Sequence, residues 1–268
     1  DGTKIPFHCV RLEQTDTRVP QPTLLFAYGG FNVAIPPQYP AAIAAFIRAG
    51  GIYVVAHLRG GNEFGRQWWQ SGSQQQAQNT YDDLYAVAED LIGQNRTTKN
   101  QLALYGRSKG GLMAGVALTQ RPDLWKAVVP QVPVLDLIGS LRHPYGRFCC
   151  EIEYGDPLDP EAIQRIVDYS PYHQVKRNVA YPAVYFDVGA TDPRCPPWHA
   201  RKLAARLQAS TLGDFPILLR VWEKAGHGLA TPRAILIQQT TSWLAFVMRQ
   251  LGMVNSESLS VAHEYMPD

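Results

Sequence analysis

The 268-residue chain sets 25 Lys plus Arg against 23 Asp plus Glu, with 46% apolar and 18% charged residues. That composition supports one sizeable core and lies far from the low-hydrophobicity, high-charge corner where chains stay disordered. A net charge of +2 is too small for the basic stripe that nucleic-acid binding needs, and the lack of an apolar run of about 18 residues argues against a membrane span.

In chain order, the opening Asp1-Gly-Thr-Lys has neither a signal pattern nor an initiator Met. It predicts a soluble, cytoplasmic chain whose start was trimmed, processed or cut from something longer. The first 19 residues read as an antiparallel edge strand. Thr23–Tyr28 then reads as a buried strand, residues 41–48 as a helix stopped by Gly50-Gly51, and Ile52–Ala56 as the next strand. This β, α, β order implies a right-handed crossover within a parallel sheet. Asn79-Thr80 offers N-cap residues for a helix over 81–94, with Asp82 and Asp83 in its first turn, where the helix dipole favours negative charge. Further strands are predicted at 102–105, 125–129, 183–188 and 217–222, with helices over 110–120, 197–208 and 233–251. Residues 130–181 break the rhythm with scattered Pro, Gly and aromatics, which predicts an irregular, partly helical insertion over the sheet's upper edge. Residues 255–268 read as a loose tail, leaving 1–254 as one α/β unit. The four cysteines, Cys9, Cys149, Cys150 and Cys195, are expected as free thiols, because adjacent Cys149 and Cys150 could join only through a strained ring.

Between a predicted strand and a predicted helix lies Gly106-Arg107-Ser108-Lys109-Gly110. Glycines there permit a sharp turn that lifts the Ser108 hydroxyl above the sheet at a helix N-terminus, where the Lys109 N–H can face a developing oxyanion. A serine hydroxyl is a weak nucleophile, so this reading requires a base and a group that orients it. Asp192, after the strand ending at Val188, and His227, in Ala225-Gly-His-Gly228, supply both in the order Ser, Asp, His, at the strand ends where open α/β sheets place their sites. In isolation Asp192 reads as a turn residue and His227 as a surface-loop histidine; the elbow gives them a common purpose. Asp187 falls inside a predicted strand and Asp136 in the insertion, while His57, His143, His173 and His199 lack a glycine-flanked late loop, and His57 reads as structural.

These residues resemble the catalytic domain of the prolyl oligopeptidase family of serine peptidases, in an α/β-hydrolase fold with a mostly parallel sheet and helices on both faces. The resemblance spans nearly the whole chain through Asp1-Gly-Thr-Lys-Ile-Pro6, Tyr28-Gly-Gly-Phe-Asn32, Arg59-Gly-Gly-Asn-Glu-Phe-Gly-Arg66, Asn79-Thr-Tyr-Asp-Asp83, Gly106-Arg-Ser-Lys-Gly-Gly111, Tyr169-Ser-Pro-Tyr172, Thr191-Asp-Pro-Arg194 and Ala225-Gly-His-Gly228. It implies a Ser108, Asp192, His227 triad, with the Tyr28 hydroxyl as second oxyanion donor beside the Lys109 N–H. Tyr28 also reads as a core aromatic at a strand end. Arg194 matches an arginine that holds a substrate carbonyl; its plain alternatives are a solvated charge or the partner of a nearby carboxylate. Phe31 and Tyr154 match residues near the primary specificity pocket, with apolar packing as their alternative.

Two departures shape the expectation. The family's pocket tryptophan precedes this Tyr-Gly by four positions, where the chain has Cys150, so no proline preference is implied; Glu151 and Glu153 are candidates for attracting a basic side chain. The β-propeller that normally accompanies this domain is not in the sequence. The expected activity is peptide hydrolysis through an acyl-enzyme, without metal or cofactor. The alternatives are a carboxylesterase acting on small esters with the same groups and a non-catalytic binding module. Oligomeric state is left open.

Overall fold

The computed structural model describes residues 1–228 and 231–254; the predicted tail, 255–268, lies outside the described residues. Strand β1 (Phe7–Val10) runs antiparallel at the sheet edge, pairing Phe7 with Ala56. Strand β2 (Thr23–Ala27), helix α1 (Ala41–Arg48) and strand β3 (Ile52–Ala56) form the first crossover, with β2 and β3 parallel from Thr23 opposite Ile52 to Ala27 opposite Ala56. Short α2 (Arg66–Gln70) and long α3 (Ala77–Gly93) follow. Strand β4 (Leu102–Arg107), helix α4 (Lys109–Gln120) and strand β5 (Ala127–Gln131) come next. After the insertion come β6 (Ala183–Gly189), α9 (Trp198–Gln208), β7 (Ile217–Trp222) and α10 (Arg233–Gln250).

The sheet order is β1-β3-β2-β4-β5-β6-β7. From β2 the chain steps outward to β3 and then returns to the other side of β2 as β4. The C-terminal ends of β2 and β4 are therefore neighbours at the point where strand order reverses, which is where such sheets leave a crevice.

Both faces are covered, so the central strands are nearly continuous apolar runs rather than alternating. Period-2 geometry still sorts them. Leu25, Leu104, Val128 and Val184 face the core under α3, α4 and α9. Leu24, Ala103, Val129 and Tyr185 face a second core under α1 and α10. Each fully buried Leu or Val contributes roughly 1.5–3 kcal/mol, which makes these strands the rigid frame under the site.

Helix α3 starts at Ala77, before the expected cap, and has no acidic residue in its first turn. Asn79 and Thr80 are not caps. The Asn79 amide donates to the Ser71 carbonyl at 2.9 Å, and the Thr80 hydroxyl lies 2.7 Å from the Arg59 carbonyl and 2.9 Å from that of Gly72. Asp83 instead takes the Arg59 guanidinium, at 2.5 Å from Nη2, whose Nη1 reaches Asp1 at 2.6 Å. Three of the family-like segments thus hold each other. The insertion is more regular than its composition suggests. It holds α5 (Leu137–Ser140), α6 (Pro144–Cys149), a π-turn (Cys150–Tyr154), α7 (Pro160–Tyr169) and α8 (Pro171–Gln174). Proline opens α6, α7 and α8, where its missing N–H costs nothing. No helix among the described residues is long and apolar enough to cross a membrane.

Candidate active site

Ser108 stands between β4 and α4 with φ 57° and ψ −116°. A Cβ on Gly106 would lie 1.9 Å from the Gly110 carbonyl oxygen, and one on Gly110 would lie 2.6 Å from that of Ala27. Both positions therefore require glycine, and the close approach forces the bend that presents the hydroxyl. The Ser108 N–H donates to the Gln131 carbonyl at 2.9 Å. The Lys109 N–H opens α4 and has no intrahelical acceptor.

His227 Nε2 lies 3.0 Å from Ser108 Oγ, and Nδ1 lies 2.7 Å from Asp192 Oδ2. An ionised carboxylate only accepts, so Nδ1 carries the proton and Nε2 presents its lone pair to the hydroxyl. Asp192 is buried, and its other oxygen accepts the Arg194 and Cys195 N–H groups, each at 2.9 Å. The loops carrying acid and base are tied to each other. Thr191 donates to the Ala225 carbonyl from its N–H at 3.1 Å and from its hydroxyl at 3.0 Å. A Cβ on Gly189 would meet that same oxygen at 2.3 Å.

Tyr28 follows β2 and lines the groove shared by Ser108, Arg194 and His227. Burial, with smaller contributions from Glu153 and neighbouring groups, pushes its phenol up to about 12. It stays a hydrogen-bond donor throughout the neutral range. Phe31, Val134, Tyr154, Cys149, Cys195 and Pro196 wall a pocket beside Ser108. The Phe31 and Tyr154 rings meet edge to face, 6.2 Å between centroids. Arg194 is exposed at the rim, over the Tyr145 ring at 5.7 Å, with no carboxylate partner among the described residues.

The Cys150 expectation is corrected. Its thiol turns into the core toward the Gly155 carbonyl at 3.2 Å, and Cys149 lines the pocket instead. The π-turn beginning at Cys150 changes which residue faces inward. Neither Glu151 nor Glu153 attends the pocket. Glu151 is exposed, while Glu153 is fully buried, 3.8 Å from Lys109 Nζ, and accepts the Trp69 indole N–H at 3.0 Å. Burial raises the Glu153 carboxyl and lowers the Lys109 ammonium, each partly offset by the other. The Lys109 ammonium also lies over the Tyr154 ring at 4.9 Å. Residue type and spacing gave no sign of this buried pair.

The rejected candidates hold other partners, although His143 and His199 line the pocket beside Ser108 and His57 lines the adjoining groove. Asp187 is buried on β6 between Gln131 and Trp222, each at 2.5 Å. His57 joins His8 at 2.7 Å and Glu63 at 3.4 Å. Asp136 caps α5, pairs with Lys202 and lies 3.9 Å from His173. His199 accepts the Leu135 and Asp136 N–H groups, and burial pushes its imidazole down to about 3. His143 stacks on Trp198.

A hydroxyl, an imidazole and a carboxylate joined in series above the strand ends of an α/β-hydrolase sheet define the serine-hydrolase class. The model of the prolyl oligopeptidase family matches residues 37–254, and the chain belongs to that family. It is 44% identical over 206 residues to an uncharacterized peptidase of Sinorhizobium fredii, covering 76% of this chain and 28% of the relative. It is 35% identical over 256 residues to a prolyl endopeptidase of Elizabethkingia miricola, covering 95% of this chain and 36% of that one. The structure of oligopeptidase B from Leishmania major superposes with a TM-score of 0.90 at 32% identity, covering 96% of this chain and 36% of that one. The chain spans about a third of the length of the relatives it matches.

Proposed function

We propose that residues 1–254 are a peptidase domain that hydrolyses peptide bonds through an acyl-enzyme on Ser108. The carrying observation is His227, within hydrogen-bonding distance of Ser108 Oγ on one side and Asp192 on the other. As Oγ adds to the substrate carbonyl, Nε2 takes its proton, while the Tyr28 hydroxyl and the Lys109 N–H donate to the developing oxyanion. The imidazolium, held by Asp192, then protonates the leaving amine. Water, deprotonated by the same nitrogen, releases the acyl group.

The exposed Arg194 guanidinium at the pocket rim supports peptide over simple ester substrates, because it can donate charge-assisted hydrogen bonds to a substrate backbone carbonyl. The pocket walls of Phe31, Tyr154 and Val134 suit an uncharged residue before the cleaved bond. We place the chain in the cytoplasm, whose reducing conditions suit its four free thiols. The decisive test is covalent labelling with a fluorophosphonate. Ser108→Ala should abolish labelling and lower turnover on short peptides by about 10⁴ or more; undiminished labelling in that variant would remove Ser108 as nucleophile.

A further inference from the structure

A charged side chain one residue from Ser108 has no part in the proposed acyl transfer. Arg107 ends β4 and is partly buried. Its Nη2 donates to the backbone carbonyl of His227, and its Nη1 donates to Gln131 Oε1 at 2.9 Å. Gln131 is held in turn by the Tyr105 hydroxyl at 2.8 Å, and its amide donates to Asp187 Oδ2 at 2.5 Å. The Trp222 indole N–H fixes the other Asp187 oxygen at 2.5 Å. A continuous polar chain therefore crosses β6, β5 and β4 and ends on the loop that carries the base.

That loop is otherwise secured to the wrong partner for catalysis. The contacts of Thr191 and Gly189 with Ala225 hold the His227 loop to the Asp192 loop, so they preserve the distance between acid and base. They do not set the distance from the base to the nucleophile, which stands on β4. Arg107 shares that strand with Ser108 and grips the His227 backbone directly. Gly228 makes room for the grip: its φ is +114°, and a Cβ there would stand 1.9 Å from Arg107 Nη2.

We infer that Arg107 is a positioning residue that fixes the His227 loop to the nucleophile's own strand and so sets the Nε2 to Oγ distance. The inference rests on Ser108 and His227 acting as nucleophile and base. Hydrogen bonds to a charged donor are strong enough that their loss is felt about 10- to 100-fold, and reactions that depend on sub-ångström placement are sensitive to such a loss.

The test begins with wild type and Ser108→Ala, whose labelling and turnover establish the nucleophile separately. Arg107→Met should then lower kcat about 10- to 100-fold with KM nearly unchanged and with the folding transition intact. Arg107→Lys should recover part of that loss, and millimolar guanidinium should restore part of the kcat of Arg107→Ala. Arg107→Gln, which keeps a neutral donor within the strand, should lose less kcat than the Met variant and covers the case in which the Met variant does not fold. A kcat within twofold of wild type in Arg107→Met, a loss confined to KM, or a loss that neither lysine nor guanidinium relieves would overturn the inference.

Discussion

Lys109 and Glu153 face each other across 3.8 Å with side chains at most 1% exposed. At an effective dielectric of 20 their attraction is about 4 kcal/mol, similar to the cost of bringing the two charges out of water. The intact pair therefore adds little net stability, whereas either charge left alone is expensive. Lys109→Met should lower unfolding free energy by about 3–5 kcal/mol, and Glu153→Gln by a similar amount. The double variant Lys109→Met with Glu153→Gln should recover most of it, since the glutamine oxygen can still accept the Trp69 indole N–H. Urea denaturation at pH 8, with slopes compared so that only the midpoint carries the change, measures all three. The sign with pH follows from burial, which raises the Glu153 carboxyl. A folded value above the unfolded one favours the folded state at low pH, and that contribution disappears as pH rises through the folded value. The Lys109→Met deficit should therefore shrink as pH falls toward about 4.3, the value of the unfolded carboxyl. Additive single effects, each below about 1 kcal/mol, would refute the account.

With Tyr28 as the proposed second oxyanion donor, Tyr28→Phe should lower kcat about 10²- to 10³-fold, by analogy with other single-donor losses; steady-state kinetics on a short peptide reads this directly. Because the Tyr28 phenol is pushed up to about 12, its ionisation should produce no fall in wild-type activity between pH 8 and 10, and a pH-rate profile in buffers of constant ionic strength checks it. Arg194→Met should weaken peptides by about 10- to 100-fold in kcat/KM while sparing a short-chain ester that offers no backbone carbonyl to grip. Equal losses on both substrates would put Arg194 in the fold rather than in recognition.

The grouping of Ser108, His227 and Asp192 was legible because each sits in a short local pattern at a strand's end, and the sheet brings those ends together without side-chain detail. Strand assignments fared similarly, since fully buried strands declare themselves as apolar runs. What the sequence hid depends on distant partners. Thr80 looks like a helix cap until its hydroxyl is seen on the carbonyls of Arg59 and Gly72. Cys150 has the right spacing from Tyr154, but a π-turn shifts the facing residue to Cys149. Glu153 reads like any glutamate near a pocket, and only packing shows it buried against a lysine that the elbow motif had already assigned for its backbone. Arg107 was inside the motif too, yet its network crosses three strands that no local spacing connects.

The backbone at Ser108 has a further consequence. A φ of 57° costs a residue with a Cβ of order 1–3 kcal/mol, a penalty that glycine largely escapes. At the position of the proposed nucleophile, the residue that would relax the backbone best is one without a hydroxyl. Ser108→Gly should therefore raise the melting temperature while removing the proposed nucleophile, so selection for heat resistance alone would work against the elbow.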